Sequence, residues 1–316
     1  MKIEIIGILI LLIICSVFAG LEKEAFIYQE VPISASYIVV RDIDEEGNVV
    51  GQFLQDNELF GFYYSGKDVF TLSNANIFAV NGDKTSGTKD NRALFWNPYS
   101  SNPIRLLEQV GNADIAMDFT EQITVGQTII GSFLKAVIWD EKGQFIDYED
   151  FGYNNAAFTA VNEYNEFTGF AGNGVLTSRA FYYDNEDFEI LTNSLSTGFA
   201  INNLGHIVGH ERMEKYIAFY WNKETTNYLE DLGGGAIAFD INEEGFIVGT
   251  SKNRNGEWCA VMWDKNFEII NLNELINLNT TLKEANAINN KGYIAGITAE
   301  NKAFILKPLL PTNMEE

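Results

Sequence analysis

Cysteine is almost missing. The 316-residue chain has two, Cys15 and Cys259, too few for a disulfide scaffold. If the amino-terminal segment is removed, Cys259 stands alone in the apolar run WCAVMWD and reads as a buried structural thiol. Histidine is as scarce, with only His206 and His210. On a strand a spacing of four puts both on one face. Their order, His-x-x-x-His-Glu, is not that of a zinc helix, and a metal pair would need a third ligand. Proline numbers 5 and does not cluster, so no linker divides the chain. Basic residues are outnumbered, 21 against 44 acids, for a net charge of −23. Such a chain repels phosphate backbones and anionic bilayers, which argues against a nucleic-acid partner and favours cations or basic partners. What is plentiful is apolar: 46% hydrophobic and 13% aromatic residues exclude disorder as the main theme.

One apolar run is long. Lys2 precedes an apolar stretch from Ile5 to Cys15, and Val17 and Ala19 place small residues before a cleavage point. Residues 1–19 therefore read as a secretory signal peptide, with a secreted or periplasmic product. Glu4 is unusual in such a leader, and an uncleaved anchor is the alternative. No second segment can span a bilayer, so the mature chain is expected to have no membrane span, and to be a monomer.

The remainder, residues 20–316, is organised by a repeat. IDEEGNVVG (43–51), VNEYNEFTG (161–169), INNLGHIVG (201–209), INEEGFIVG (241–249) and INNKGYIAG (288–296) are copies of one element. FTEQITVG (119–126) and VNGDKTSG (80–87) are worn copies. The closing glycines, Gly51, Gly87, Gly126, Gly169, Gly209, Gly249 and Gly296, recur about every 41 residues. Each copy is followed by a second element: GFYYSG, ALFWNP, AVIWDE, AFYYDN, AFYWNK, AVMWDK and AFILKP in turn. Val, Ile and aromatic runs punctuated by Asn-Asn-x-Gly and Glu-Glu-Gly turns predict four short strands per unit. A glycine recurring inside a strand predicts close backbone approach, here between packed sheets.

Seven such units predict an all-β chain, a β-propeller of seven four-stranded blades. Six or eight blades follow if the worn second unit is misread or units are hidden, and a flat multi-repeat sandwich is the other architecture. The last unit lacks an evident fourth strand, and residues 25–33 offer one, closing the ring with the amino-terminal strand. The Leu/Ile spacing in 271–285 predicts one short inserted helix.

The combination AINN-x-G-x-IVG followed by AF-x-W resembles the bacterial HAF-repeat family of exported repeat proteins, over about residues 35–307. The family's His before Ala-Phe is replaced here by Arg179, Ile217, Cys259 or Lys302, and its DLGTLGG segment survives as DLGGG at 231–235. The resemblance implies export and repeat architecture, and carries over no catalytic residue.

No nucleophile elbow, dinucleotide fingerprint or phosphate loop is present. Asp42, Asp44 and Glu46 begin like a calcium loop, but its twelfth position is Phe53. The reading is an exported, non-catalytic binding or interaction module without a cofactor, holding a protein or glycan on the face of the second-to-third loops. Candidate residues there are Asp56, Glu58, Tyr153 on a connection, Glu211, Glu257 and Trp258. The alternative is an exported propeller enzyme acting on a polysaccharide or lactone, with Ca²⁺ in the central channel.

Overall fold

The computed structural model describes residues 25–309, Val175 excepted. The leader and its cleavage point lie outside the described residues. Seven four-stranded antiparallel sheets follow one another along the chain. Their first strands are Tyr37–Ile43, Ala75–Asn81, Asp114–Phe119, Asn155–Val161, Leu195–Ile201, Gly233–Ile241 and Leu282–Ile288. Each packs against the first strand of the blade before and after, and the first blade's packs against the seventh's, so the sheets close around an axis. The chain is a seven-bladed β-propeller.

The closure uses the amino end. Phe26–Glu30 runs antiparallel to Ala303–Pro308, pairing Phe26 with Pro308 and Glu30 with Phe304, and becomes the outer strand of blade 7. The expected helix within 271–285 is only a single 3₁₀ turn, Leu272–Glu274, and among the described residues no α-helix forms. The reason is local competition from asparagine. Asn271 caps the turn at once, and Asn273 accepts from the Leu282 N–H and donates to its carbonyl, pulling the chain back into strand.

Third strands carry the bulk of the core. Trp139, Trp221, Trp263, Phe62, Phe181, Phe219 and Phe304 are almost fully buried between neighbouring blades. Each contributes roughly 1.5–3 kcal/mol of transfer free energy. Two indoles also find buried acceptors on the preceding connection: Trp139 Nε1 donates to the Glu108 carbonyl and Trp263 Nε1 to that of Glu230, both at 2.9 Å.

The repeated glycine has a more specific cause than sheet-to-sheet packing. In every blade the register between first and second strands slips by one residue, a β-bulge, immediately after the residue that faces this glycine: Val40 opposite Gly51, Gly198 opposite Gly209, Ala238 opposite Gly249. At the bulge the first strand's carbonyl crowds the glycine. A methyl on Gly209 would overlap the Thr197 carbonyl, one on Gly249 that of Ile237, and one on Gly296 that of Glu284. The close approach is thus within a blade, between its own two inner strands, and it corrects the expectation of contact between packed sheets.

Adjacent blades are stitched at the turn after the first strand. Asn202 Oδ1 accepts the backbone N–H groups of Leu204 and His206, while its Nδ2 donates to the Asn242 carbonyl of the next blade at 3.2 Å. Asn162 reaches Asn202 in the same way, Asn242 reaches Asn289, and Asn289 reaches the Asp44 carbonyl at 2.7 Å, across the ring closure. The following residue forms a second belt. Glu163 N–H donates to Asn203, Asn203 N–H to Glu243, Glu243 N–H to Asn290, and Asn290 N–H to Glu45.

Candidate functional site

The bulge determines what faces the axis. Its extra residue in each blade is Arg41, Phe78, Met117, Thr159, Phe199, Phe239 or Asn286, and these line an axial channel of about 130 Å³. The next residue along is Asp in blades 1, 3 and 6, giving Asp42, Asp118 and Asp240, which also border the channel. Each of these carboxylates braces two blades. Asp118 accepts from its own Phe119 N–H and from Val161 N–H of blade 4, at 2.8 and 2.9 Å. Asp42 does the same for Ile43 and Val80, and Asp240 for Ile241 and Ile288. Burial raises their pKa values, with Asp42 pushed up to about 6 and Asp118 and Asp240 to about 7. The backbone donors pull the other way, and the charge of Asp42 adds to the rise at both partners.

The turns between first and second strands surround one end of this channel and are acidic. Burial raises the pKa of Glu243, and the charges of Glu45 and Glu163 raise it further, while Lys291 on the same set of turns reaches the Glu45 carbonyl. Arg41, the cation among the lining residues, stacks over Phe78 at 5.3 Å and donates to Gln52. Phe199 packs on Phe239 at 5.8 Å between centroids and on His210 at 5.2 Å.

The second-to-third loops lie on the opposite face. Asp56 and Glu58 are exposed at the tip of blade 1, on either side of Asn57. Glu257 is exposed and accepts from Asn253, and the half-buried Trp258 beside it faces Tyr216 of blade 5 at 6.5 Å. Tyr153, also half-buried, packs on Phe188. Glu211 departs from expectation. It is 0% exposed, because the second strand of blade 5 continues through Arg212 and turns this side chain inward. Its carboxylate accepts from Ser194 N–H and the Tyr228 hydroxyl, and the latter bond pushes the Tyr228 pKa up to about 12. It is a structural acceptor. The candidates therefore share a face without converging: Glu257 and Trp258 meet, while Asp56, Glu58 and Tyr153 sit on other blades.

Sequence reasoning passed over the apolar tips of the same face. Ile129, Ile130 and Phe133 on blade 3, Leu176 on blade 4 and Met213 on blade 5 are exposed, Leu176 by 79%. The signal was available by internal comparison. The equivalent tips elsewhere read QDNE, KDNR, NRNGE and AENK, all polar.

The histidines have separate partners. His206 Nδ1 bonds the Tyr220 hydroxyl at 2.9 Å, whereas His210 lies among Phe199 and Tyr216 with its pKa pushed down to about 4 by burial. Among the described residues no group of three or more His, Cys, Asp or Glu side chains is placed to hold a metal. Cys259 is buried, and burial raises its thiol pKa.

No family model and no curated protein matches the sequence. Solved structures do match in fold. A streptogramin B lyase aligns with TM-score 0.59 at 12% identity, over 90% of this chain and 98% of that one. Virginiamycin B lyase from Staphylococcus aureus aligns with TM-score 0.59 at 10% identity, over 90% and 100%. The acylaminoacyl peptidase of Pyrococcus horikoshii aligns with TM-score 0.57 at 9% identity over 88% of this chain, which spans only about half (53%) of that enzyme. At such identities the likeness concerns the propeller fold alone.

Proposed function

We propose that the chain is an exported, non-catalytic binding module that holds a protein or glycan partner on the face of its second-to-third loops. One observation carries the reading: three consecutive blades, 3 to 5, present exposed apolar tips there, Ile129, Ile130, Phe133, Leu176 and Met213, while the other blades present polar ones. Large apolar side chains grouped on one face of a rigid scaffold mark an interaction site. Asp56 and Glu58 on blade 1 and Glu257 and Trp258 on blade 6 lie on the same face. Export rests on residues 1–19.

The test is a combined Ile130→Ser, Phe133→Ser, Leu176→Ser and Met213→Ser variant, probed against glycan and peptide arrays and cell-surface extracts. Melting should stay within a few degrees of the parent, with captured partner lost. A folded variant that keeps full partner affinity would dismiss this face. Mass spectrometry of the mature amino terminus checks export: Met1 intact in cytosolic protein would remove that part. The enzyme reading is met by assaying polysaccharide and lactone cleavage, where turnover abolished by changes in the channel would replace the binding role.

A further inference from the structure

The axial channel offers many acceptors and few donors. Asp42, Asp118 and Asp240 each have both oxygens on backbone N–H groups, and every carboxylate oxygen retains a further lone pair. Asn286, on the blade-7 wall, has a buried Oδ1 with no hydrogen-bond partner. A buried amide oxygen left unpaired costs free energy that an N–H donor recovers. The same walls carry Phe78, Phe199 and Phe239, aromatic rings whose faces attract cations, and the thioether of Met117. Arg41 is held to the blade 1–2 side by Gln52 and Phe78. Outside the channel the Glu45, Glu163 and Glu243 turns make its mouth acidic. The carboxylates lie on blades 1, 3 and 6 and form no metal-holding group, so the arrangement suits a cation bound through directed N–H donors to one or two carboxylates and an amide, not a bare ion that needs three or more charged ligands.

We propose that the axial channel is a binding site for a primary alkylammonium group, entering from the acidic mouth, with its N–H donors on Asp118, Asp240 and Asn286 and its alkyl part against Phe199 and Phe239. A volume of about 130 Å³ takes a chain of a few carbons, the size of a lysine side chain or a small free amine. Both sources share the chemistry. The site is separate from the partner-binding face and does not depend on it.

Calorimetry on the mature protein decides it, with n-butylammonium, the peptide Gly-Lys-Gly, triglycine and Ca²⁺ as probes at pH 7.5 and low salt. One or both lysine-type ammonium probes should bind, and triglycine should not. Preference for butylammonium identifies a free amine as the natural source, and preference for the peptide a partner's lysine. Asp118→Asn and Asp240→Asn should each weaken binding about tenfold, as expected for a lost charge-assisted hydrogen bond. Should either variant fail to fold, Phe199→Ala and Phe239→Ala retain the carboxylates and should weaken binding about threefold through the lost apolar contact with the alkyl chain. Binding should also strengthen from pH 5.5 to 7.5 as the cation displaces protons from Asp42, Asp118 and Asp240. The other ionisable groups in and around the channel are Arg41 with its neighbours Tyr37 and Glu284, and Asp44, Glu45, Glu163, Glu243 and His210. No heat from either ammonium probe up to about 10 mM, unchanged affinity in the folded variants, or tighter binding of Ca²⁺ than of both ammonium probes would each overturn the proposal.

Discussion

Two sectors of the ring reach the same geometry by different chemistry. From blade 4 through blade 7 and on to blade 1, the turn asparagines do two jobs at once, closing their own turn and donating to the next blade. Blades 1 and 3 have lost that asparagine, and the equivalent Asn81 of blade 2 is exposed. Asp44 in blade 1 keeps the turn bonds but is an acceptor, so it takes the Gly82 N–H of blade 2 instead of donating to it. In blade 3 Thr120 holds the turn through N–H groups of Gln122 and Ile123 and donates nothing to blade 4. There Asp118 supplies the link from the channel side. Between blades 2 and 3, Thr88 donates to the Asp114 carbonyl at the other end of the first strand. Blade 6 makes both of these links to blade 7 as well, through Asp240 and Thr250, so a worn repeat copy is one that lacks the turn bond and keeps one of the others, and the bulge with its facing glycine is what all seven blades retain.

The largest effect should come from the closure common to both sectors. Removing residues 20–33 strips blade 7 of Phe26–Glu30 and bares the edge of Ala303–Pro308. Loss of a single cooperative melting transition, with aggregation on gel filtration, is expected; a sharp transition at the parent temperature would show the ring closing without it. Next comes the bulge. Gly249→Ala and Gly126→Ala, one in each sector, set a methyl against the Ile237 and Ile115 carbonyls, and each should cost about 3 kcal/mol or more in urea unfolding. Similar costs in the two sectors are the expected outcome, since the clash lies within a blade.

The turn is where the sectors should part. Asn202→Ala removes two accepted bonds and one buried donor, for about 2–4 kcal/mol, whereas Thr120→Ala loses local bonds only, for about 1 kcal/mol. Equal losses would mean that the inter-blade bond contributes little. The pH response draws on three carboxylates shared between the sectors. The folded pKa values of Asp42, Asp118 and Asp240 lie above the ordinary value of 3.8, so the folded state binds more protons between that value and about 7. Their contribution to stability therefore falls as pH rises from 5 to 8, by on the order of 1–2 kcal/mol per group. Melting temperatures measured across that range should decline, and an Asp118→Asn, Asp240→Asn variant should flatten the decline.

Much of this was legible from the repeat. Seven paired elements, a last unit short of one strand and a spare strand at 25–33 led to blade number and closure, because a repeated period reports a repeated unit of structure. Individual roles were less legible. Asn202 and its counterparts read as turn residues, which they are, but their Nδ2 donors point across blades, and no local pattern shows that. Glu211 read as a loop acid because its strand was expected to end before it, whereas the strand runs on through Arg212.

What the sequence alone determined was the periodic part: strand, turn, glycine and aromatic at fixed offsets, hence an all-β ring of seven blades. Tertiary structure decided which residues meet. Arg41, Phe78, Met117, Thr159, Phe199, Phe239 and Asn286 are about 40 residues apart along the chain and occupy the least regular position of the repeat. A one-residue slip in each blade brings them to a common axis. Backbone geometry repeats because every unit must form the same bonds, whereas the side chains at the bulge face a cavity and can vary without unmaking the sheet.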